Sequence, residues 1–552
     1  MEVAATAPPR TARRGLPGWA YLGIAVAILV AGPLLVLPAS FVTDPGAFGD
    51  IADSLLPEAL RASAVLGAGV GLGTLLLGGS LAALVSFYDF PGRRWLDWAL
   101  VLPLAMPAYV LVFVLLGQYD ADGWLQGAVR DVLGMQLPEI RSTGGAITVL
   151  TLVLYPYVYV LGRSAFLDQS RDTFEAARSL GLSHLQAIGR LALPLARPAL
   201  AAGCALAVME ALADFGAVNL LNYRAMTDAI YRVWYGAFDR AAALQLATVL
   251  VSVTVALVLL ERMLRGRARY HGALARGEAV VPRRLRGPRA WLATSVPVVL
   301  LALVLVGPLV QLAIWSVRSL GEGATAPALL KAAATSLMLA AVAAVVAVIA
   351  ATVVVYGRRT QPSRVGDVTA RLQTLGYAVP GTVVAVAVYI PLAWIDRQLD
   401  GAFGTGLLLT GTAIGLVLAY VVRFQALAYF AVEARMARLD PALDDAAQSL
   451  GADRSRVLSD VHLPLLWPGI VTAGLLVFVE AMKELPATAL LRPLGNDTLS
   501  IAVWEATKDS RFDTAALPAL LIVAVGLVPV ILMIRLSRRG AALEGELVPP
   551  AN

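Results

Sequence analysis

"EAARSLGLSH" spans Glu175–His184, and "DAAQSLGADR" spans Asp445–Arg454. The two align at an offset of 270, with Glu175 on Asp445, Gly181 on Gly451 and Ser183 on Asp453. The register continues through Leu193-Pro194 on Leu463-Pro464, Pro198 on Pro468 and Glu210 on Glu480. A polar, Ala-rich element written twice in an apolar chain marks an internal repeat, and its placement among the apolar runs decides the fold.

Of the 552 residues, 59% are hydrophobic and 15% charged, and the mean hydropathy is +0.74. Soluble domains carry about 25% charged residues, so most of this chain must face something other than water. The formal charge of +6 does not point to nucleic acid. The arginines flank apolar runs, as topology signals do, and aromatic residues are not interleaved with them. Lysine is confined to Lys331, Lys483 and Lys508, a bias of composition. The single cysteine, Cys204, excludes an internal disulfide, and no Cys/His cluster suggests a structural metal. His184, His271 and His462 lie far apart, all in expected loops. Arg10, Arg13 and Arg14 precede an apolar run from Trp19 to Leu37 with no A-x-A-like site after it. That pattern predicts a retained first helix rather than a secretory signal.

Crossing the hydrocarbon takes about 20 apolar residues. Runs of that kind fall near 19–38, 60–86, 97–117, 145–167, 197–221 and 241–261. A second set falls near 290–314, 330–356, 372–395, 405–430, 467–491 and 514–535. Each must be helical, because an unpaired backbone group in lipid is too unfavourable. The expectation is an all-α polytopic membrane protein of about 12 transmembrane helices with both termini cytoplasmic.

Loop charges agree with that count. Arg93 and Arg94, then Arg171, Arg178 and Arg190, then Arg358, Arg359, Arg364 and Arg371, and finally Arg535, Arg538 and Arg539 fall on one side. The most basic segment joins the sixth and seventh spans, with Arg262, Arg265, Arg267, Arg269, Arg276, Arg283, Arg284, Arg286 and Arg289. The opposite side carries Asp44, Asp50, Asp53 and Glu58, or Asp120, Asp122, Asp131 and Glu139. This alternation is the positive-inside pattern. Six spans per half is an even number, so the halves are parallel repeats related by a pseudo-two-fold along the membrane normal. The division expected is a first domain 1–261, a basic cytoplasmic linker 262–289 and a second domain 290–552. Gly67, Gly69, Gly71 and Gly73 give the second span small-residue spacing for close helix packing.

Both copies of the opening segment fall on the cytoplasmic side, between the fourth and fifth spans of their half. Asp172 is placed to cap a helix with Glu175 at its third position. Asp440 caps the second copy, with Pro441 in the first turn. Gly181 and Gly451 suit a left-handed C-terminal cap. Ser183 and Asp453 start a second short helix, which Pro194 or Pro464 is expected to end. The result is a bent bracket with an alanine face, holding no nucleophile, base or metal set. It is suited to docking in another protein's groove, or else simply connects two spans.

The pattern E-A-A, three residues, Gly, then Leu-Pro resembles the coupling loop of ABC importer permeases. The resemblance covers both halves and implies that each loop seats on one ATP-binding subunit. It assigns Glu175, Ala176, Ala177 and Gly181 to the first docking loop. Asp445, Ala446, Ala447 and Gly451 form the second, where Asp replaces the family's Glu. No G-x-x-x-x-G-K-[ST] occurs, so this chain has no phosphate cradle of its own. ATP and Mg²⁺ would sit on two partner ATPases, a solute-binding protein would deliver substrate, and the setting would be a bacterial inner membrane with its lipid. The chain itself would bind no cofactor and catalyse no reaction.

"EALADFGAVNLL", "EAMKELPATALL" and the Ala-Ala-Leu-Pro-Ala-Leu piece at 515–520 resemble the fused permeases of ferric-iron importers. Thiamine and aminoalkylphosphonate permeases share that layout. Glu210 and Asp214 lie four apart in the fifth span, and Glu480 and Glu484 four apart in the eleventh. Such pairs share a helix face, so a pseudo-two-fold could bring four carboxylates, with Lys483, toward one passage. Acids inside spans face a partner or a watery cavity, and carboxylate oxygen suits a hard cation such as transient Fe³⁺. The other reading makes these acids structural, with Lys483 paired to one of them. Segments 222–240 and 492–511 are the expected contacts of the binding protein, and Tyr223, Tyr231, Trp234 and Trp504 are read mostly as interfacial belt residues. Two other classes stay open: a proton-coupled secondary transporter, which would leave the twin brackets unexplained, and a membrane-embedded enzyme, for which no paired motif appears.

Overall fold

The computed structural model describes residues 18–44, 46–119, 123–265, 280–321, 326–404, 406–493 and 495–546. Arg10, Arg13, Arg14, Asp120, Asp122, Arg267, Arg269, His271 and Arg276 lie outside the described residues. Among the described residues, ten helices are long and apolar enough to cross a membrane, or twelve when each of two bent pairs counts as one span.

In chain order the first half holds α1 (Gly18–Ala31, continued as Pro33–Thr43 after a 46° bend), α2 (Leu56–Phe87), α3 (Ala108–Tyr119), α4 (Thr143–Leu167), α5 (Leu193–Ala213) and α6 (Arg240–Arg265). The second half holds α7 (Pro288–Gly321), α8 (Ala326–Thr360), α9 (Gly381–Phe403), α10 (Ala413–Met436), α11 (Leu463–Met482) and α12 (Phe512–Glu546). The α6 helix runs past the expected boundary at 261, and α7 begins at Pro288. Beyond the helices, the only strand pairing among the described residues is a two-residue parallel bridge, Tyr88–Asp89 on Arg283–Arg284.

Four expected spans are cut differently. The run near 97–117 is a segment, Arg93–Ala105, that meets α3 at 90°. Pro107 is the cause: a residue before proline is pushed out of the α region, and Met106 is extended at φ −87°, ψ 110°. Pro380 does the same to Val379 (φ −99°, ψ 128°), so the ninth span starts at Gly381 rather than near 372. The fifth and eleventh spans end at Ala213 and Met482, short of the expected 221 and 491.

In each half three helices form a tight core, α2 against α4 and α5, and α8 against α10 and α11. The alternate glycines of α2 open its two faces. A Cβ at Gly73 would come 2.5 Å from Thr151 Oγ1 on α4, and one at Gly71 2.9 Å from Val208 on α5. Backbone approach of this kind is how helices associate where lipid removes the hydrophobic drive.

The first helix of each half crosses to the other half. The α1 helix packs on α8, α9 and the Arg364–Leu372 helix, with Trp19 edge-on to Tyr356 at 4.9 Å. Correspondingly, α7 packs on α3, where Trp315 meets Phe113 at 5.5 Å.

Candidate functional site

Both spans that carry the paired acids stop at those acids. After Ala213 the chain turns extended at Asp214 (φ −68°, ψ 130°) and re-enters a short helix, Gly216–Leu220. After Met482 it breaks at Lys483 and resumes as Pro486–Leu491. Asp214 Oδ1 accepts from the N–H of Ala217 at 2.8 Å, and Glu484 Oε1 from that of Ala487 at 2.9 Å. These carboxylates cap the resumed helices, so the expectation of a shared helix face at i and i+4 does not hold for either pair. Thr227 Oγ1 and Ser500 Oγ donate to the carbonyls of Asp214 and Glu484, closing each break alike.

The breaks nonetheless bring the acids together. Glu210, Asp214, Glu480, Lys483 and Glu484 line one cavity of about 120 Å³ between the halves. A smaller cavity of about 20 Å³ shares Glu210 and Glu480 with it. Lys483 Nζ pairs with Glu480 at 2.7 Å. A further cation, Arg423 on α10, lines both cavities, and its Nη1 donates to Glu484 Oε1 at 2.9 Å. Sequence reasoning passed over Arg423, although a lone arginine inside "AYVVRFQALAYF" was the available signal. Broken helices with capped half-helix ends, meeting a charged cavity within the membrane, are the arrangement that handles polar solutes in transporters. Among the described residues no three His, Cys, Asp or Glu side chains stand close enough together to hold a metal ion.

The twin brackets have closely matched backbones. The helices Arg171–Ser179 and Ala442–Ser449 end at Gly181 (φ 93°) and Gly451 (φ 84°), the left-handed turn expected of glycine. Ser183 accepts from Gln186 N–H in a capping box, and Asp453 Oδ1 accepts from Arg456 N–H at 2.9 Å. Two details depart from expectation. Ser170, not Asp172, precedes the first helix, and Asp172 lies in its first turn. In the second copy Asp440 Oδ1 does accept from Ala442 N–H at 2.9 Å.

Nor do Pro194 and Pro464 end the short helices. Each bracket runs through a π-turn, Ile188–Ala192 or Val457–His462, straight into α5 or α11. Each proline sits in the first turn after the wider coil, where its missing N–H leaves no partner wanting. Glu175, Ala176 and Gly181 are exposed and Ala177 half-buried, as are Asp445, Ala446, Gly451 and Ala447 in turn. Leu180 and Leu450, also at matching positions, are 86% and 89% exposed, large apolar side chains that loop composition alone did not flag.

Two sequence expectations are overturned by burial. His184 and His462 are not loop residues: His184 lies between Tyr88 and Phe174, and His462 sits in a π-turn against Tyr356 and bonds Asp444. Trp234 and Trp504 are buried between the halves rather than held at a lipid interface. Trp504 donates its indole N–H to Asn219 at 3.0 Å and packs with Phe215 and Tyr231. A buried indole N–H usually finds an acceptor, as this one does. Tyr223, half-buried, donates its hydroxyl to the carbonyl of Ala62.

The family described as "Binding-protein-dependent transport system inner membrane component" matches residues 74–270 and again 343–541. The Fe(3+)-transport system permease protein FbpB 2 of Haemophilus influenzae is 27% identical over 482 residues, covering 87% of this chain and 90% of that protein. A probable sulfate transport system permease protein, cysT of Nephroselmis olivacea, is 31% identical over 38% of this chain and 75% of its own length. A putative 2-aminoethylphosphonate transport system permease protein, PhnU of Salmonella paratyphi A, is 25% identical over 45% of this chain and 91% of its own.

Proposed function

The chain belongs to the binding-protein-dependent inner membrane permeases, with the family domain present twice, and from that premise we propose that it is the fused permease of an ATP-driven importer of ferric iron. It is a multi-pass membrane protein and a transport component rather than an enzyme. In this reading 1–261 and 290–552 are the two permease domains, 262–289 connects them, and both termini face the cytoplasm. Two ATP-binding subunits seat on the brackets at Glu175–Gly181 and Asp445–Gly451, and a solute-binding protein delivers substrate from outside. ATP and Mg²⁺ belong to those partners. The exposed Leu180 and Leu450 supply the apolar contact that a bracket without catalytic groups would use for docking.

One observation carries the substrate reading: four carboxylates meet two cations in the central cavity. The surplus of carboxylate oxygen favours a hard cation, and the similarity to a permease named for Fe(3+) points the same way. With Asp214 and Glu484 engaged in caps, the passage binds weakly enough to release its cargo. The second reading is an oxyanion, favoured by Arg423 and Lys483 in the same cavity and by the relatives named for sulfate and aminoethylphosphonate.

Reconstituted permease with its ATPases decides between them. ATPase stimulation by the binding protein loaded with Fe³⁺, and not with sulfate, 2-aminoethylphosphonate or thiamine, is the expected result. Stimulation by one of the others replaces the iron reading, and uptake by ATPase-free vesicles under a proton gradient removes the ATP-driven one. Glu210→Gln combined with Glu480→Gln should abolish iron uptake. Unchanged uptake would remove the acids from the path.

A further inference from the structure

The carboxylates of the cavity obey the repeat, and the cations do not. Glu210 corresponds to Glu480 and Asp214 to Glu484, at the same offset that relates α4 to α10 and α5 to α11. At that offset the counterpart of Arg423 is Val153 and that of Lys483 is Ala213, and both small residues line the same cavity. The acids therefore form a two-fold set, while both positive charges stand on one half only. A guanidinium held at 2.9 Å from Glu484, with Glu210 and Glu480 lining the same space, occupies the position a travelling cation would need.

A second observation marks the cavity as a place for a ligand. Tyr109 lines it, is 4% exposed, and its hydroxyl has no hydrogen-bond partner among the described residues. A buried hydroxyl without a protein partner calls for one, and a water or an ion in the cavity would supply it.

We propose that Arg423 is a tethered counter-ion: it neutralises Glu484 in the closed passage and yields it to the substrate cation when the passage opens. This rests on the cation reading above. Four carboxylates against two cations leave the cavity with a surplus of negative charge. In Arg423's absence the unneutralised Glu484 would attract monovalent cations and protons into the membrane interior. A permanently charged guanidinium suits the task better than an ammonium, because it cannot lose its proton. A high-charge cation competes for the acids where a monovalent ion cannot, so the tether also sets selectivity.

The test is leak through the full complex in proteoliposomes, without ATP and without iron, read as Na⁺ or proton flux with internal dyes. Arg423→Gln should raise that flux roughly tenfold, an estimate for one uncompensated charge, and Arg423→Lys should stay close to the unmodified protein. The double variant Arg423→Gln/Glu484→Gln, which removes one charge of each sign and so restores the net charge of the native cavity, should be sealed again. It remains the readout if the single variant fails to assemble with the ATPases. A tight Arg423→Gln protein, an equal leak in Arg423→Lys, or a leaking double variant overturns the proposal in favour of a purely structural ion pair. Because no iron is used, these outcomes stand apart from failure of the iron reading, which the loaded binding proteins test separately.

Discussion

Position 174 and its repeat counterpart 444 hold the same bracket by opposite chemistry. Phe174 is buried, stacked on Phe87 at 5.5 Å and edge-on to His184, and Phe87 in turn packs on Phe166. Asp444 accepts from Arg359 Nε at 2.8 Å and pairs with His462 Nε2 at 2.6 Å, with both acid and arginine less than one-fifth exposed. Removing one partner of such a pair leaves a charge poorly solvated, so Arg359→Ala should cost about 3 kcal/mol, seen as a lowered unfolding midpoint. Burial pushes the Asp444 carboxyl up, but the hydrogen bonds from Arg359 and His462 outweigh it and hold its pKa below the usual aspartate range. A carboxylate depressed in the folded state adds stability that is complete above its unfolded value, about 3.9, and is lost as pH falls through the folded one. The second bracket should therefore keep its amide protection on acidification to about pH 4 and lose it below. The first bracket, with Phe174 at this position, has no carboxylate to lose; its acid-sensitive group is the buried His184, whose pKa burial holds below the usual histidine value, so it should loosen as pH falls below about 6.5. Loosening of both brackets over one and the same pH range would refute the assignment.

At the scale of the element, each bracket depends on a glycine in the left-handed region and on a cap. Nothing stands within 4 Å of a Cβ added at Gly181 or Gly451, so substitution there acts through backbone strain alone. Gly181→Ala or Gly451→Ala should cost about 1–2 kcal/mol of local stability, measured as faster amide exchange in the bracket helix. Ser183→Ala should cost about 1 kcal/mol through the lost cap. The docking role makes a separate prediction. Leu180→Asp with Leu450→Asp removes two exposed apolar side chains and should leave the permease folded while its pull-down of the ATP-binding subunit falls sharply. Retained capture would move the docking surface elsewhere. The π-turns join the second short helix of each bracket to the span that follows it, giving continuous helices over His184–Ala213 and Val457–Met482.

At the scale of the molecule, the two sequence repeats are not two separate bodies. The α1 helix lies on α8 and α9 of the other half as well as on α6 of its own, and α7 lies on α3 as well as on α12, so the two halves share a continuous packed interface. Chains split between α6 and α7 should co-purify when made together, whereas the first half made alone should aggregate, the face of α1 that meets α8 and α9 left uncovered. Stable, monodisperse single halves would contradict the exchange.

Much of this was legible in residue order. The number and type of spans follow from the length of apolar runs, because lipid leaves the backbone no alternative to helix. The duplicated brackets follow from glycine, proline and capping chemistry, which act over a few residues and so are written locally. Pro194 and Pro464 read as helix ends in the sequence, because a π-turn has no signature in composition. Asp214 and Glu484 were placed in continuous helices for the same reason: the breaks that turn them into caps are stabilised by Thr227 and Ser500, distant in the chain.

The sequence by itself determined an all-helical chain of ten to twelve apolar spans, a duplicated domain and twin brackets, since each depends on neighbours within a turn or two or on a constant offset. Only the tertiary structure decided that Arg423 meets Glu484, that the first helices exchange between halves, and that Trp504 closes on Asn219. Those are contacts between elements up to hundreds of residues apart, selected by the need to pair charges and indoles once packing has removed them from water.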